Sequence, residues 1–429
     1  MTFDDLGLNN NVTEEPIREL GYKVPTPIQQ QAIPILLNGK DLVGCAQTGT
    51  GKTAAFAIPI INTIHRIVGS GKKRKQIRTV VLSPTRELAL QIKENFDELS
   101  KYTQIKTAVI FGGVSQNPQV QELKSGVDVL VATPGRFLDL YKQGFISLDG
   151  MHQLVIDEAD LMLDMGFIND VKKIIKLTPS NRHTLLFSAT MPLEIRHFAD
   201  EFLTHADYVS VDAVSSAAET VNQSVYFVDK ENKKQLLLHV LKDKQLDNLL
   251  IFVRTKHGAD NLAKFLSKNN WLAAAFHGDK SQNTRVRVLN EFKNNDIQIL
   301  IATDVASRGI DIDQLPFVIN YEIPNVPEIY IHRIGRTGRK GNTGEAISFV
   351  GKDEKSYWTS IEKLMRKQVK VVKDNPFPWS TDTAPNPNAK KDFRKKNPTQ
   401  NNEAKANNKS KPSQSRKSDA AKKNKKRWY

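Results

Sequence analysis

The stretch Ala46-Gln47-Thr48-Gly49-Thr50-Gly51-Lys52-Thr53 has the residue types and spacing to hold a polyphosphate. It follows a short apolar run, Leu42 to Cys45, and precedes a helix-like run, Ala54 to Ile58. That is the strand–loop–helix context of a P-loop. Small residues such as Thr48, Gly49, Thr50 and Gly51 let backbone N–H groups curl around phosphate oxygens. The new helix points its positive end at the same anion. Lys52 can reach the β- and γ-phosphates, and Thr53 can place its hydroxyl on Mg²⁺. The usual pattern opens with Gly, and here Ala46 stands there. A Gly/Thr turn that merely caps a helix would not need the Gly-Lys-Thr side chains.

A second chemical group follows the apolar run Leu154-Val155-Ile156. An acid at such a strand end, Asp157, can hold Mg²⁺ through water, and its neighbour Glu158 can orient an attacking water. Alone, Asp157 to Asp160 would read as an acidic cluster before a helix at Leu161. Further on, His332-Arg333-Ile334-Gly335-Arg336-Thr337-Gly338-Arg339 spaces arginines by glycine. Such a turn is a surface loop, a phosphate contact, or a set of fingers on a γ-phosphate if one domain closes over another. Near the start, Thr26-Pro27-Ile28-Gln29 opens a helix with a capping box. Locally that is the preferred reading of Gln29; the alternative is an amide that reads an adenine edge.

The elements that must position these groups come in two series. From Arg78 to Val211, short apolar runs (Val80 to Leu82, Val127 to Val131, Leu154 to Ile156, Leu185 to Phe187) alternate with helical patterns such as Glu87 to Leu99. Each run ends in a polar or small-residue cluster. A second series begins at Val225 to Val228 and ends at Ala346 to Val350. Alternation of this kind predicts α/β domains with mostly parallel sheets. Ligands in such sheets bind beyond the carboxyl ends of the strands. The expected organisation is one domain over 1–211, a linker over 212–219, a second domain over 220–372, and a disordered basic tail over 373–429.

Length and composition agree. The chain has 429 residues, 39% of them hydrophobic, and no apolar run long enough to span a bilayer. The N-terminus lacks the apolar stretch of a secretory signal. One cysteine, Cys45, excludes an internal disulfide and suits a reducing cytoplasm. Beside the phosphate loop, in an apolar run, it reads as a small buried residue and not a nucleophile. No Cys/His cluster has metal-ligand spacing. Net charge is +15, of which Ala384 to Tyr429 supply +12, from fifteen Lys/Arg against three acids. That tail has no Leu, Ile, Val or Met, so it cannot fold alone, and its charge predicts a polyanionic partner. A tail that only aids solubility is the alternative.

Taken together, the motifs resemble DEAD-box RNA helicases over about residues 3 to 350. The overall look and the basic tail are most similar to the bacterial RhlE-like branch. Asp157-Glu158-Ala159-Asp160 spells the family's name, and it stands in order with Gln29, Lys52, Ser188-Ala189-Thr190, Thr303-Asp304 and His332 to Arg339. The resemblance implies two tandem RecA-like domains that bind ATP and Mg²⁺ in their cleft and RNA across their joint face. It implies an adenine site of Phe3, Tyr22 and Gln29, so adenine recognition ranks above capping for Gln29, the two roles not being exclusive. Lys52, Thr53, Asp157 and Glu158 would serve phosphates, metal and water, with Asp311 on the ribose and Arg336 and Arg339 as fingers. Ser188 and Thr190, with Asp160 and His332, would couple the domains. RNA, single-stranded or as a short duplex, would meet Arg86, Gly113, Thr133, Gly135 and Arg136, then Gly278, Gln282, Arg285 and Thr303.

The implied activity is RNA-stimulated ATP hydrolysis coupled to local strand separation and remodelling of RNA–protein complexes. The expected setting is cytoplasmic, within ribosomal-precursor or RNA-decay assemblies. A DNA-directed helicase of the same superfamily would share the phosphate motifs, but not the full Gln29 region and the Asp157-to-Asp160 tetrad. An RNA clamp without turnover would normally lack Lys52, Glu158 or Arg336. A polycation scaffold explains the tail and not the body.

Overall fold

The apolar runs of the first series become strands buried on both faces. β2 (Thr79–Leu82), β3 (Thr107–Ile110), β4 (Val129–Ala132) and β5 (Gln153–Ile156) have no exposed position. Continuous burial is what helices on both faces of a parallel sheet require. With β1 (Leu42–Cys45), β6 (His183–Ser188) and β7 (Asp207–Ser210) they form a seven-stranded, wholly parallel sheet of order β3-β4-β2-β5-β6-β1-β7. One core layer joins Phe56, Phe96 and Phe187, and the other joins Phe137, Met162 and Phe198.

The second series repeats the plan. Its strands are β8 (Val221–Phe227), β9 (Leu249–Val253), β10 (Ala273–Phe276), β11 (Ile299–Thr303), β12 (Phe317–Asn320), β13 (Gly344–Val350) and β14 (Lys370–Val371), in the order β10-β11-β9-β12-β13-β8-β14. All pairings are again parallel. The two tandem α/β domains expected from the sequence are therefore present.

The computed structural model describes residues 2–8, 13–47, 49–69, 76–211, 221–243, 248–307, 312, 315–338 and 344–379. Thr48, Asp311, Arg339, the expected linker 212–219 and residues 380–429 lie outside them. The start of the tail needs correction. Residues 373–379, read from sequence as tail, pack on the second domain. Asn375 Nδ2 donates to Phe227 O at 2.8 Å, and Trp379 Nε1 donates to Val350 O at 2.9 Å. The Trp379 ring lies 4.7 Å from that of Phe227. Two aromatics in seven residues give this segment a denser apolar surface than the rest of the tail, where three aromatics are spread over fifty residues.

Candidate functional site

The P-loop lies between β1 and the helix Lys52–Gly69. Gly49 and Gly51 both hold positive φ, 78° and 91°, so the turn requires residues without a Cβ. Gly51 is also crowded: a Cβ there would sit 2.4 Å from Gln29 Nε2. Lys52 is the first helical residue and is buried, with Nζ 2.6 Å from Glu158 Oε1. Thr53, next along, is half-buried.

Asp157 and Glu158 follow β5 and are both buried. Burial, against the pull of Lys52, pushes the Asp157 carboxyl up to about 7. Burial alone would depress Lys52, but the carboxylates of Glu158 and Asp157 outweigh it and raise its pKa. Glu158 holds a left-handed backbone, φ 55° and ψ 53°, which is uncommon for a residue with a side chain. Cys45 is half-buried and not fully so, and burial pushes its thiol up, away from nucleophile chemistry.

Asp160 gathers the expected coupling residues. Its Oδ2 accepts from Thr190 N at 2.9 Å and from Thr190 Oγ1 at 2.8 Å, and its N–H donates to Ser188 Oγ at 3.2 Å. Burial would raise Asp160, but the charge of His332, then Lys52 and the Thr190 hydrogen bonds, hold it below the usual carboxylate range. His332 belongs to the helix Pro327–Ile334 of the second domain, so this electrostatic influence reaches from one domain to the other.

Gln29 serves two neighbours at once. Its Oε1 accepts from Thr26 N at 2.9 Å, the capping contact, and its Nε2 donates to Gly51 O at 3.2 Å. The Thr26 hydroxyl sits in capping position without a completed hydrogen bond. Gln29 therefore ties the start of its own helix, Pro27–Leu37, to the phosphate loop. The rings of Phe3 and Tyr22 stack 6.4 Å apart on the same domain.

The arginine cluster divides by role. Arg333 is buried, and its Nε and Nη2 grip the two oxygens of Asp304 at 2.6 and 2.8 Å. Its Nη1 donates to Asn320 Oδ1 and to Glu322 O. Arg333 is thus an internal brace and not a finger. Arg336 is buried just beyond the end of that helix, where its carbonyl accepts from Leu315 N at 3.0 Å.

The residues expected at RNA converge. Arg86, Thr133, Gly135 and Arg136, at the starts of the helices that follow β2 and β4, share a cavity of about 500 Å³ with Gly278 and Arg285 of the second domain. Gly113 lies against the Arg86 guanidinium, so closely that a Cβ would meet Nη2 at 2.0 Å. Thr303 is buried at the end of β11, three residues before Ala306, which lines the cavity. Sequence reasoning gave Glu87 no role. The structure makes it the bridge between the domains: Oε1 accepts from Gln282 Nε2 at 2.8 Å, and Oε2 pairs with Arg285 Nη2 at 2.8 Å. No local pattern around Thr85-Arg86-Glu87 signals this, because Gln282 lies 195 residues away.

Comparison with known proteins agrees with this geometry. The family described as DEAD/DEAH box helicase matches residues 26–198, and the helicase conserved C-terminal domain matches residues 232–341. The chain is 41% identical to the ATP-dependent RNA helicase CshA of Limosilactobacillus reuteri, covering 87% of this chain and 74% of that protein. It is equally 41% identical to the ATP-dependent RNA helicase DeaD of Haemophilus influenzae, covering 87% of this chain and 60% of that one. Equal likeness to differently named relatives singles out no branch, the RhlE-like one included. Among solved structures, S. cerevisiae Dbp5 bound to RNA and ADP BeF3 superposes with a TM-score of 0.78 at 30% identity, over 86% of this chain and 95% of that one. Two matched domains and a relative covered over most of its length place this chain in the family of DEAD/DEAH box helicases.

Proposed function

We propose that this protein is an ATP-dependent RNA helicase that separates short RNA duplexes locally and remodels RNA–protein complexes. The cavity shared by both domains carries the reading. Three buried polar atoms of its residues and their neighbour, Arg136 Nη1, Arg285 Nε and Gln282 Oε1, have no hydrogen-bond partner among the described residues. Buried polar groups left unpaired are costly. Phosphates and 2′-hydroxyls of an RNA strand supply the matching acceptors and donors, with little sequence information. The likeness to Dbp5, solved with RNA and ADP BeF3, supports both ligands.

ATP is the substrate of the first domain. Its phosphates fall to Gly49, Thr50, Gly51, Lys52 and Thr53, and its base to Phe3, Tyr22 and Gln29. Thr53 and Asp157 fit Mg²⁺. A buried carboxyl pushed up to about 7 is one that a divalent cation would return to the ionised form. Among the described residues no group of three or more His, Cys, Asp or Glu forms a metal cage, which suits an ion that keeps waters and phosphate oxygens. When bound, Mg²⁺ neutralises charge on the phosphates. Glu158 orients the attacking water, and Lys52, now paired with Glu158, neutralises phosphate charge. Arg336 and Arg339 act as fingers from the second domain. Asp160, Ser188, Thr190 and His332 couple the halves.

Closure is the working step. RNA across both domains and ATP in the cleft favour one closed arrangement, so each strengthens the other's binding. A strand bent by closure no longer fits a duplex, and a few base pairs part. The proposed setting is cytoplasmic, in ribosomal-precursor or RNA-decay assemblies. No helix among the described residues is long and apolar enough to cross a membrane. ATPase rates with RNA, with DNA and with neither test the reading. Equal stimulation by DNA would point to a DNA-directed helicase, and RNA binding without turnover to a clamp.

A further inference from the structure

The two sheets share one strand order. Substituting β8 to β14 for β1 to β7, in sequence, converts the first order into the second. In the first domain the helix after β1 begins at Lys52, and in the second the helix after β8, Lys233–Asp243, begins at Lys233. Both lysines are buried, and each has its Nζ 2.6 Å from a glutamate oxygen, Glu158 in one case and Glu354 in the other.

The second pair sits in a fuller cradle. Glu354 Oε2 accepts from Lys233 Nζ and from Gly351 N at 2.9 Å. Oε1 accepts from Ile323 N at 3.0 Å and lies 3.4 Å from Arg254 Nη2. Lys233 Nζ also donates to the carbonyls of Tyr321 at 2.8 Å and Phe349 at 3.0 Å. These groups come from the carboxyl ends of β9, β12 and β13 and the helix after β8, where parallel sheets bind their ligands. Two backbone N–H groups, a lysine and an arginine make an oxyanion site. The anion in it is the protein's own carboxylate.

We infer that the second domain contains a duplicate of the first domain's phosphate-type oxyanion site, closed from within by Glu354. The segment before Lys233, Val228-Asp229-Lys230-Glu231-Asn232, has no glycine and carries two acids. It cannot wrap a polyphosphate, so the closed site is the size of one oxyanion. The second cradle instead holds its own strand ends together. Through Ile323 and Tyr321 it also fixes the segment that leads from β12 to the helix bearing His332.

The test uses the full chain, with inorganic phosphate as probe. In Glu354→Ala the lysine, the arginine and both N–H groups remain while the internal anion is gone. Phosphate at about tenfold its dissociation constant should raise the melting temperature of this variant by roughly 3 °C more than that of wild type. The double variant Lys233→Met/Glu354→Leu replaces the pair with apolar groups and should show only the wild-type shift. Equal shifts in all three proteins, or the same shift from sodium chloride at matched ionic strength, overturn the inference. If Glu354→Ala does not fold unaided, refolding yield becomes the readout. Recovery with phosphate and not with chloride supports an opened oxyanion site; recovery with neither overturns it.

Discussion

Lys52 Nζ and Glu158 Oε1 lie 2.6 Å apart, both out of solvent, with Glu158 in a left-handed backbone. In the sequence, Lys52 reads as a phosphate-binding residue of the P-loop. The pairing gives it a structural role as well. Lys52→Ala should abolish turnover and also strand a buried carboxylate, at a cost of about 3–5 kcal/mol. Glu158→Gln keeps the shape and loses the base. Its hydrolysis rate should fall by roughly 10²-fold or more, while ATP and RNA binding persist and the closed complex lives longer. Urea unfolding of both variants with single-turnover assays checks this. A Lys52→Ala protein as stable as wild type would remove the pair from the stability account.

Glu87 joins the domains through Gln282 and Arg285, so its loss should weaken closure rather than ATP binding. Burial pulls the Arg285 guanidinium below its ordinary pKa, and Glu87 opposes that. Two buried charge-assisted contacts should be worth about 1.5–3 kcal/mol each. Glu87→Ala is therefore expected to cut RNA-stimulated ATPase at subsaturating RNA at least tenfold, with little change in nucleotide affinity without RNA. Unchanged RNA dependence would reduce the bridge to a passive contact.

Arg333 and Arg336 lie three residues apart and should fail differently. Arg333→Ala removes a bidentate partner of Asp304 inside the second domain and should cost several kcal/mol of stability, about 3–5. Arg336→Lys should fold and bind ATP but lose turnover, since a point charge does not replace a planar fork. Melting curves beside kcat and KM separate the two. A stable Arg333→Ala that is inactive would make it a finger after all.

Much of this was legible in advance because it rests on local rules. The P-loop glycines demand positive φ, and buried parallel strands read as short apolar runs. Other features depend on contacts distant in sequence. Nothing near Glu87 announces Gln282, which lies 195 residues away. Arg333 and Arg336 share one local pattern, and only Asp304 tells them apart. β7 and β14 escape detection because they are edge strands with exposed residues, Tyr208 and Val371 among them. The pairing of Lys233 with Glu354 was hidden too, because the second domain keeps the lysine and not the glycines, and its partner lies 121 residues away.

Asp157 gives a pH prediction. Its carboxyl is pushed up to about 7 when folded, against an ordinary value of 3.8, so the folded chain holds a proton that the unfolded chain has released. Its contribution to stability should therefore fall as pH rises through that window. Without nucleotide or divalent cation, the urea midpoint of wild type should drop more between pH 5 and about pH 8 than that of Asp157→Asn. Parallel pH profiles would mean that Asp157 ionises normally in the fold.

The last prediction concerns the chain beyond Trp379. Deleting Ser380 to Tyr429 should leave the catalytic body folded, because the packed aromatics Phe377 and Trp379 are retained. Cutting at 373 instead removes both and should destabilise the second domain. With the shorter deletion, the maximal RNA-stimulated ATPase rate should stay close to wild type, since the phosphate-chemistry residues all precede position 340. RNA affinity is what should change. If about five of the lost cations sit on phosphates, the slope of log affinity against log salt should become shallower by roughly three to four units. Trp428 and Tyr429 can add stacking, worth roughly 1–3 kcal/mol per base. The loss should be nearly independent of RNA sequence, because a polycation reads charge and not base edges. Unwinding should fall most at low RNA and recover as RNA is raised. Salt titrations of RNA binding for both proteins, with ATPase assays at saturating RNA, decide it. Identical slopes would assign the tail to solubility or protein docking.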